Sequence, residues 1–339
     1  MCQENELSEV FQLCKSQSGC RCIQDKISYD STYANNVLYP YLIKASNNEI
    51  LELICDQFGN YMFQQLIDIF TYQNMSSFLS FISFHFFTIA YSTHGTRLIQ
   101  KLIEYVSQNK SHSALVYDFL VSHLKNNIAD IAMNENGNHI IQKSMLLFNS
   151  QLNNFIYEEL YANFLQIATS KYGCCVMQKA LIKSIDKQQQ LNIIYLILQN
   201  THQLITNQFG NYLYQSLIFM NDDCIIVKIC EIISNNFIKY CKEKYSSNVV
   251  EKLFDIPNQR LLNKIALIIC ENSETILDLV TDQYGNYIIQ KILNNANCEY
   301  ITNLILRVIS NHYSQVVKTS LGKKIVMKIN NSLNPKQKV

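Results

Sequence analysis

The feature of this 339-residue chain that most limits its fold is a five-residue motif that occurs eight times. Each copy has a small residue, usually a ring-bearing or planar side chain, two apolar residues, and then Gln or Glu. Successive copies begin 36 to 42 positions apart, by subtraction of their first residue numbers. A period of roughly 20–50 residues is typical of stacked repeat arrays, and we therefore expect one continuous solenoid. The copies are CRCIQ (20–24), NYMFQ (60–64), TRLIQ (96–100), NHIIQ (138–142), CCVMQ (174–178), NYLYQ (211–215), SNVVE (247–251) and NYIIQ (286–290).

The segments between the motifs predict helices. LNIIYLILQN (191–200) and LNKIALIICENSETILDLV (262–280) place apolar residues at i, i+3 and i+4. Short turn signals such as QFG and KYG precede the motifs, and glycine there suits a sharp turn or a close approach between helices. Each unit is therefore predicted to hold two or three short helices, with the motif near the start of one. The segment SLGKKIVMKI (320–329) keeps a 36-residue step from Asn286 but lacks the final Gln, which predicts a C-terminal cap.

This periodicity predicts a single domain over residues 1–339, made of eight repeats and the cap. We expect the repeats at about 7–42, 43–78, 79–118, 119–156, 157–193, 194–229, 230–266 and 267–303, with the cap at 304–332.

Composition argues against a metalloprotein, an exported protein and a membrane protein. The 12 cysteines form no CxxC pair, and the chain has no HExxH motif, so we expect neither a metal nor another cofactor. Many unpaired cysteines without a signal peptide indicate a reducing compartment, the cytoplasm, with most thiols buried as small apolar groups. The apolar stretch FLSFISFHFFTIAY (78–91) is too short to span a membrane and predicts a buried helix.

The net charge of +1 gives no support for binding dominated by phosphate contacts. If RNA is the partner, positive charge has to be confined to the face of the protein that binds it. Five repeats carry a lysine directly after the motif, which is a weak signal for contacts with an RNA backbone and is equally compatible with a solvated helix edge. These residues are Lys101, Lys143, Lys179, Lys252 and Lys291.

The spacing within the motif indicates a surface that binds flat, polar groups. Positions one and five are separated by four residues and lie on the same helical face. Position two lies beside them, whereas positions three and four, such as Met62 and Phe63, point into the core. Asn with Gln offers donors and acceptors that match a uracil edge, and Glu251 offers acceptors for the N–H groups of guanine. Rings and guanidinium groups at position two can stack on bases.

With these motifs the chain resembles the Pumilio (PUF) family of RNA-binding repeat proteins over about residues 7–330. The resemblance implies a Pumilio homology domain: an all-α, right-handed α-solenoid forming a superhelical crescent of eight three-helix repeats. It also implies one base per repeat, with the RNA antiparallel to the protein. In the family's code Asn with Gln reads uracil, Ser with Glu reads guanine, and Cys or Ser with Gln reads adenine.

Applied residue by residue, the code implies the target 5′-UGUAU(A/N)UA-3′. From the 5′ end, the base-edge pairs are Asn286 with Gln290, Ser247 with Glu251, Asn211 with Gln215, Cys174 with Gln178, Asn138 with Gln142, Thr96 with Gln100, Asn60 with Gln64, and Cys20 with Gln24. The implied stacking positions are Arg21, Tyr61, Arg97, His139, Cys175, Tyr212, Asn248 and Tyr287. Two residues depart from the family pattern: Cys175 has no ring to stack, and Thr96 is bulkier than the usual Cys or Ser.

The resemblance further implies a monomer that binds messenger-RNA 3′ untranslated regions and causes translational repression or decay through deadenylase machinery. The segment FDIPNQR (254–260), or the nearby convex face, would dock a partner protein, with Phe254 and Ile256 beside Pro257. A tolerated surface insertion is the alternative for this segment.

Two other functions stay open at this stage. One is an α-helical scaffold that binds proteins in its groove, although such a groove would vary its polar residues from repeat to repeat. The other is a PUF-like ribosome-biogenesis factor, which would predict a basic surface and eroded motifs. An enzyme is disfavoured, because no nucleophile–base set and no phosphate loop stand out in the sequence.

Overall fold

The computed structural model describes residues 11–184, 186–294 and 299–333. The predicted start of the first repeat at residue 7 and the chain ends assigned to the domain, 1–10 and 334–339, lie outside the described residues, as do 185 and 295–298. Within the described ranges the secondary structure is helical, and no strand occurs in them.

Each repeat ends with a helix that carries the motif, which we call the motif helix. The motif helices are Gln17–Tyr29, Gly59–Ile69, Thr96–Ser107, Asn138–Leu147, Gly173–Lys183, Gly210–Phe219, Ser246–Leu253 and Gly285–Leu293, followed by the cap helix Ser320–Leu333. A short middle helix precedes most of them: Asn47–Ile54, Ile128–Met133, Phe164–Ala168, Thr201–Ile205, Phe237–Cys241, Ser273–Thr281 and, before the cap, Tyr313–Val316. The first helices are Tyr72–Tyr91, Ser113–Leu124, Ser150–Ala162, Lys187–Gln199, Asp223–Ser234, Gln259–Ile269 and Glu299–Asn311; the second repeat has instead Ser31–Tyr33, the π-helix Ala34–Leu38 and Tyr39–Leu42.

After the first limit, at 42/43, which lies at the end of a helix, the limits that the sequence analysis gives for the repeats fall inside helices. Residue 79, for example, lies within Tyr72–Tyr91, and residue 157 lies within Ser150–Ala162. The boundaries between repeats lie earlier in the chain, where a polar side chain caps the N-terminus of the first helix. Thr71 accepts from the backbone N–H of Asn74, and Asn149 accepts from that of Leu152. On these caps the third repeat begins at 72 and the fifth at 150.

A single asparagine position separates the first and middle helices in four repeats. It lies ten residues before the start-of-motif glycine, or before Ser246 in the seventh repeat, and is occupied by Asn127, Asn163, Asn200 and Asn236. Its backbone leaves the helical region (φ −125°, ψ 3° at Asn127). The Asn127 side chain donates to the carbonyl of His123, four residues earlier.

The third repeat has two helices instead of the expected three. His85 stands where four other repeats have asparagine, and the helix Tyr72–Tyr91 continues through it. This helix is also less buried than expected: Ile82, Phe86 and Ile89 are buried, but Phe84 is 89% exposed. No described helix is both long and apolar enough to cross a membrane.

The chain divides into two compact units, residues 1–190 and 191–339. The core of the first unit includes an aromatic cluster in which the rings of Phe63 and Phe78 stack at 5.6 Å and Tyr39 lies 4.6 Å from Phe70. In the second unit the buried Tyr214 hydroxyl lies 3.0 Å from the hydroxyl of Thr201, so its polar group is satisfied within the core.

Cysteines contribute less to these cores than expected. Of the ten described cysteines, all free, only Cys14, Cys20, Cys174 and Cys241 are buried, so the prediction that most of them are small core residues is wrong. Several, including Cys175, stand at solvent-facing helical positions.

Candidate nucleic-acid interface

The structure gives each motif position the same environment in all eight repeats, with one exception. Position two is exposed, position five is half-buried, and position four is buried in every repeat. Position three is buried except at Cys22 of the first repeat. The sulfur of Met62, at position three of the second repeat, accepts from Cys14 of the preceding repeat, and Cys22 has no such neighbour in the described part of the chain.

Position one is buried in all eight repeats, which the sequence analysis did not predict. From the motif spacing, positions one and five were expected to offer their hydrogen-bonding groups together to a base edge. The side chain at position one instead lies under the surface and has a structural partner. Four repeats, those with Asn60, Asn138, Asn211 and Asn286, share one set of contacts.

The second repeat illustrates that set. The carboxylate of Asp56 accepts from the backbone N–H groups of Phe58 and Gly59, both at 2.8 Å. The Asn60 amide nitrogen donates to the backbone carbonyls of Asp56, at 2.7 Å, and Gln57, at 3.2 Å. In the turn before the motif helix, Asp56 therefore binds the backbone N–H groups and Asn60 binds the backbone carbonyls. Asn134, Asn207 and Asp282 hold the equivalent place in repeats four, six and eight.

These contacts orient the side-chain amides of both Asn60 and Gln64. A carbonyl oxygen only accepts, so the NH₂ group of Asn60 must face the turn and its oxygen must face away. That oxygen accepts from the amide nitrogen of Gln64 at 2.7 Å, which fixes the Gln64 amide in turn. Gln64 keeps one N–H donor and its oxygen for a ligand.

The glutamines at position five are half-buried rather than fully exposed tips, and they differ in what holds them. Gln142, Gln215 and Gln290 repeat the arrangement of Gln64, with bonds of 2.8, 3.0 and 2.8 Å to the asparagine oxygen at position one. Gln178 is instead within hydrogen-bonding reach of the Cys174 thiol. Gln100 has no asparagine to orient it, because Thr96 stands at position one and donates to the carbonyl of Asn136. The structure therefore separates the predicted base-edge glutamines into a uniformly oriented group and others with different neighbours.

The glycine before the motif is required by a close approach, since no described glycine has a positive φ. A Cβ on Gly59 would lie 2.5 Å from the carbonyl oxygen of Leu53, six residues earlier. The seven other described glycines also approach the carbonyl six residues earlier. Gly322 shows this contact with Val316, so the cap's register is one residue later than predicted: Gly322 matches Gly285, and the step is 37 residues.

The seventh repeat has serine in this place. Ser246 donates its hydroxyl hydrogen to the carbonyl of Tyr240, again six residues earlier, at 2.8 Å. Ser247, at position one, donates to the carbonyl of Lys244 at 3.3 Å. Glu251, at position five, has no hydrogen-bond donor within reach among the described residues. Its carboxylate therefore presents two free acceptors.

Repeats one, three and five use a third arrangement. A serine, rather than Asp or Asn, accepts from the N–H of the glycine: Ser16, Ser92 and Ser170. Position one then donates to backbone carbonyls of two kinds: Cys20 to Phe58 and Thr96 to Asn136, both in the following repeat, and Cys174 to Lys171, three residues earlier in its own repeat. Burial raises the pKa of Cys174 to about 12, so its side chain is a neutral thiol at physiological pH.

The exposed position-two side chains form the surface on which a flat group can stack. Tyr61, Tyr212 and Tyr287 are 40%, 54% and 59% exposed. The guanidinium of Arg97 lies 5.7 Å from the ring centre of Tyr61 and donates to its hydroxyl. Arg21, His139, Cys175 and Asn248 are likewise exposed.

A cavity of about 360 Å³ lies between the motif helices of the first two repeats. It is lined by Cys20 and Gln24 from the predicted base-edge set and by Arg21 and Tyr61 from the stacking set. Gln24 donates to the carbonyl of Tyr61 at 3.5 Å. In these two repeats the structure therefore brings residues of both predicted sets together around one cavity.

The lysines after the motif are mostly engaged within the protein. Lys101 pairs with Asp68 at 2.7 Å, Lys143 with Glu104 at 2.6 Å, and Lys291 with Asp255 at 2.5 Å, each joining two adjacent repeats. Lys252 instead pairs within its own repeat, with Asp255 at 2.9 Å. Its amine also lies 3.8 Å from the ring centre of Phe219. Four of the five predicted backbone contacts are therefore also structural ion pairs, which the sequence analysis missed.

The loop predicted at 254–260 is shorter than expected, because the helix Gln259–Ile269 begins within it. Phe254 and Ile256, on which the docking interpretation depended, are 1% and 4% exposed. They pack inside the protein, so they form no apolar docking surface.

Comparisons with known proteins agree with this geometry. The sequence profile for PUF, the Pumilio-family RNA binding repeat, matches residues 9–32, 49–75, 85–111, 127–161, 163–198, 236–266 and 276–309. These ranges cover more than half of the chain, and the chain therefore belongs to the Pumilio family of RNA-binding repeat proteins. The matched ranges leave out the motif helix Gly210–Phe219, where the structure shows the same turn contacts as in repeats two, four and eight.

Individual relatives are similar along most of this chain. "Pumilio homolog 12" of Arabidopsis thaliana is 27% identical over 321 residues, covering 94% of this chain and 52% of the plant protein. This chain thus spans about half the length of the curated relatives it matches. The solved structure of the Puf4 RNA binding domain, bound to an HO endonuclease RNA 3′ UTR recognition sequence, superposes with a TM-score of 0.78 at 28% identity. It covers 93% of this chain and 96% of the Puf4 domain.

A second solved structure gives the same result. The RNA-binding domain of yeast Puf5p bound to AAT2 RNA has a TM-score of 0.67 at 27% identity, covering 96% of both chains. The fold is therefore the helical repeat fold of Puf RNA-binding domains.

Proposed function

We propose that this protein binds single-stranded RNA with the sequence preference 5′-UGUAU(A/N)UA-3′, one base per repeat. One observation carries the proposal. Four repeats hold an Asn–Gln pair at motif positions one and five in the same geometry, and the seventh repeat has Ser247 and Glu251 at these positions instead. The similar Puf4 domain is bound to a 3′ UTR recognition sequence, which supports a messenger-RNA ligand.

The oriented glutamine explains a uracil preference. Uracil presents an N–H donor flanked by carbonyl acceptors. Gln64, held by Asn60, presents the converse set, one N–H and one oxygen, at a fixed angle. In the eighth repeat Lys328 of the cap donates to the Gln290 oxygen at 3.0 Å, so the ligand there shares that oxygen with the cap lysine.

The seventh repeat fits guanine for the opposite reason. Guanine presents adjacent donors at N1 and N2, and the Glu251 carboxylate is an acceptor only. A charged acceptor strengthens each bond, and uracil cannot supply a second donor. A base without those donors would cover the half-buried carboxylate and leave it unpaired, which is unfavourable and makes this position selective.

In cells, a protein with this preference would bind 3′ untranslated regions in messenger RNA and repress or destabilise the transcript. The partner that carries out this step, deadenylase machinery by family resemblance, would dock outside the groove and away from the buried Phe254 and Ile256. A reporter with UGUAUAUA in its 3′ UTR, compared with ACAAUAUA, measures this effect directly.

The binding preference itself is tested in vitro. We expect UGUAUAUA to bind at least about a hundredfold more tightly than ACAAUAUA, since three bases are wrong at once and each wrong base costs about 1–3 kcal/mol in groove readout of DNA. Fluorescence anisotropy with both oligonucleotides gives the ratio. Equal affinities would contradict the assignment of bases to repeats.

A further inference from the structure

Three of the ion pairs that join adjacent repeats follow one rule. The lysine five residues after position one pairs with a carboxylate eight residues after position one of the preceding repeat. Asp68 and Lys101 obey it, and so do Glu104 with Lys143 and Asp255 with Lys291. We call this series the lysine ladder.

The ladder is interrupted in the fifth repeat. Lys179 occupies the lysine position, but the matching residue of the preceding repeat is Leu146, which is 47% exposed. No carboxylate lies within 4.0 Å of the Lys179 amine among the residues described. Lys179 is half-buried, so its stem is held against the protein while its charge lacks an ionic partner there.

The same repeat also lacks a stacking ring. Cys175 is exposed at position two and precedes Lys179 by four residues, so the two lie one turn apart on one helical face. A nucleotide placed over Cys175 is not covered by an aromatic side chain. Its phosphate is within reach of the Lys179 amine, because a lysine stem spans about one helical turn.

We propose that Lys179 is the phosphate-binding residue of the RNA groove, and that this ionic contact holds the nucleotide that Cys175 cannot stack. The proposal rests on RNA binding as proposed above. The ladder lysines differ from Lys179 because each would have to give up a carboxylate before it could bind a phosphate. The charge contribution to RNA binding is then concentrated in one repeat.

The test compares Lys179→Gln with the matched variant Lys143→Gln. Binding of UGUAUAUA is measured between about 50 and 200 mM salt, where one phosphate contact on a single strand contributes about 0.7 to the slope of log K against log salt. We expect Lys179→Gln to reduce the slope by about 0.7 and to weaken binding equally for all sequences. Lys143→Gln should change the slope by less than Lys179→Gln does, because its amine is paired with Glu104, and should lower the melting temperature.

A second variant restores the ladder without removing the lysine. Leu146→Glu should pair with Lys179 and reduce the slope as Lys179→Gln does, with no further reduction in the double variant. Equal slopes for Lys179→Gln and wild type, or equal reductions for Lys179→Gln and Lys143→Gln, would overturn the proposal. If wild type binds without preference for UGU, the base assignment fails, and the slope still decides the role of Lys179.

Discussion

The second and seventh repeats solve one packing problem in different ways. In both, the start of the motif helix approaches the carbonyl oxygen six residues earlier. The second repeat leaves room with Gly59 and closes the turn with Asn60, whose amide binds two carbonyls. The seventh fills the room with Ser246, whose hydroxyl donates to that carbonyl. Its position-one residue, Ser247, makes one long hydrogen bond to a carbonyl.

The difference shows that position one has a larger structural role in some repeats than in others. Asn60 both closes a turn and orients Gln64. In the seventh repeat Ser246 has taken over part of the structural role, and Glu251 is not oriented by the residue at position one. Base preference should therefore be easier to change in the seventh repeat than in the second.

The largest expected effect is a change of specificity in the seventh repeat. Ser247→Asn with Glu251→Gln recreates the Asn–Gln pair, and the carbonyls of Glu243 and Lys244 are in place to accept from the new amide. We expect the double variant to prefer UUUAUAUA over UGUAUAUA by about tenfold or more, at about 1–3 kcal/mol per wrong base. Competition binding with both oligonucleotides measures the ratio, with unchanged melting as the control. A retained preference for guanine would mean that this pair does not read the base.

The second effect concerns the close approach at Gly59. In Gly59→Ala the new Cβ meets backbone at 2.5 Å, so we expect a loss of about 1–3 kcal/mol in the free energy of unfolding. The matched variant Ser246→Ala keeps its Cβ and loses the hydroxyl's bond to Tyr240 and its longer contact with the Glu243 carboxylate, about 1 kcal/mol. Urea unfolding compares the two. A larger loss for Ser246→Ala would contradict this account of the turn.

The reverse exchange should have the smallest effect that can still be measured. Asn60→Ser with Gln64→Glu copies the seventh repeat into the second and removes the bond to Asp56, whereas the serine hydroxyl can still donate to Gln57 as Ser247 donates to Lys244. We expect a loss of about 0.5–1.5 kcal/mol in unfolding free energy, from that one hydrogen bond. The comparison is between the melting temperatures of this variant and of the variant Ser247→Asn with Glu251→Gln. Equal stability of the two would remove the distinction between the repeats.

Much of the fold followed from the sequence, because its period and its apolar positions are local signals. The burial of Met62 and Phe63 and the exposure of Tyr61 were predictable from helical geometry. The role of Asn60 was not, since it depends on backbone carbonyls that face inward only after the turn has formed. The recurring pattern Asp or Asn, two residues, Gly, Asn could have indicated it.

The separation of the glutamines was equally hidden from the sequence. Gln100, Gln142, Gln178 and Gln215 occupy one motif position, and the sequence analysis assigned all of them the same role. Their surroundings differ because the neighbour at position one is Thr, Asn or Cys and is itself held by the turn. A pattern of residue types gives the pairing but not the direction in which each amide is held.

The lysine ladder was missed for a different reason. Asp68 and Lys101 are far apart in sequence and meet only when repeats stack, so no local pattern connects them. Comparing equivalent positions in neighbouring repeats would have revealed the pairing. Phe254 and Ile256 were misjudged because an apolar pair beside proline was interpreted as exposed, whereas short loops also bury such residues to cover their own repeat.

The uninterrupted helix of the third repeat has a mechanical consequence. Its 20 residues form a rod about 30 Å long, at about 1.5 Å per residue, with no asparagine joint at residue 85. In the repeats where asparagine interrupts the helix, the first and middle helices are separate hydrogen-bonded segments, so one can open while the other stays folded. In the third repeat the residues that correspond to the first and middle helices form one hydrogen-bonded segment, so they open together.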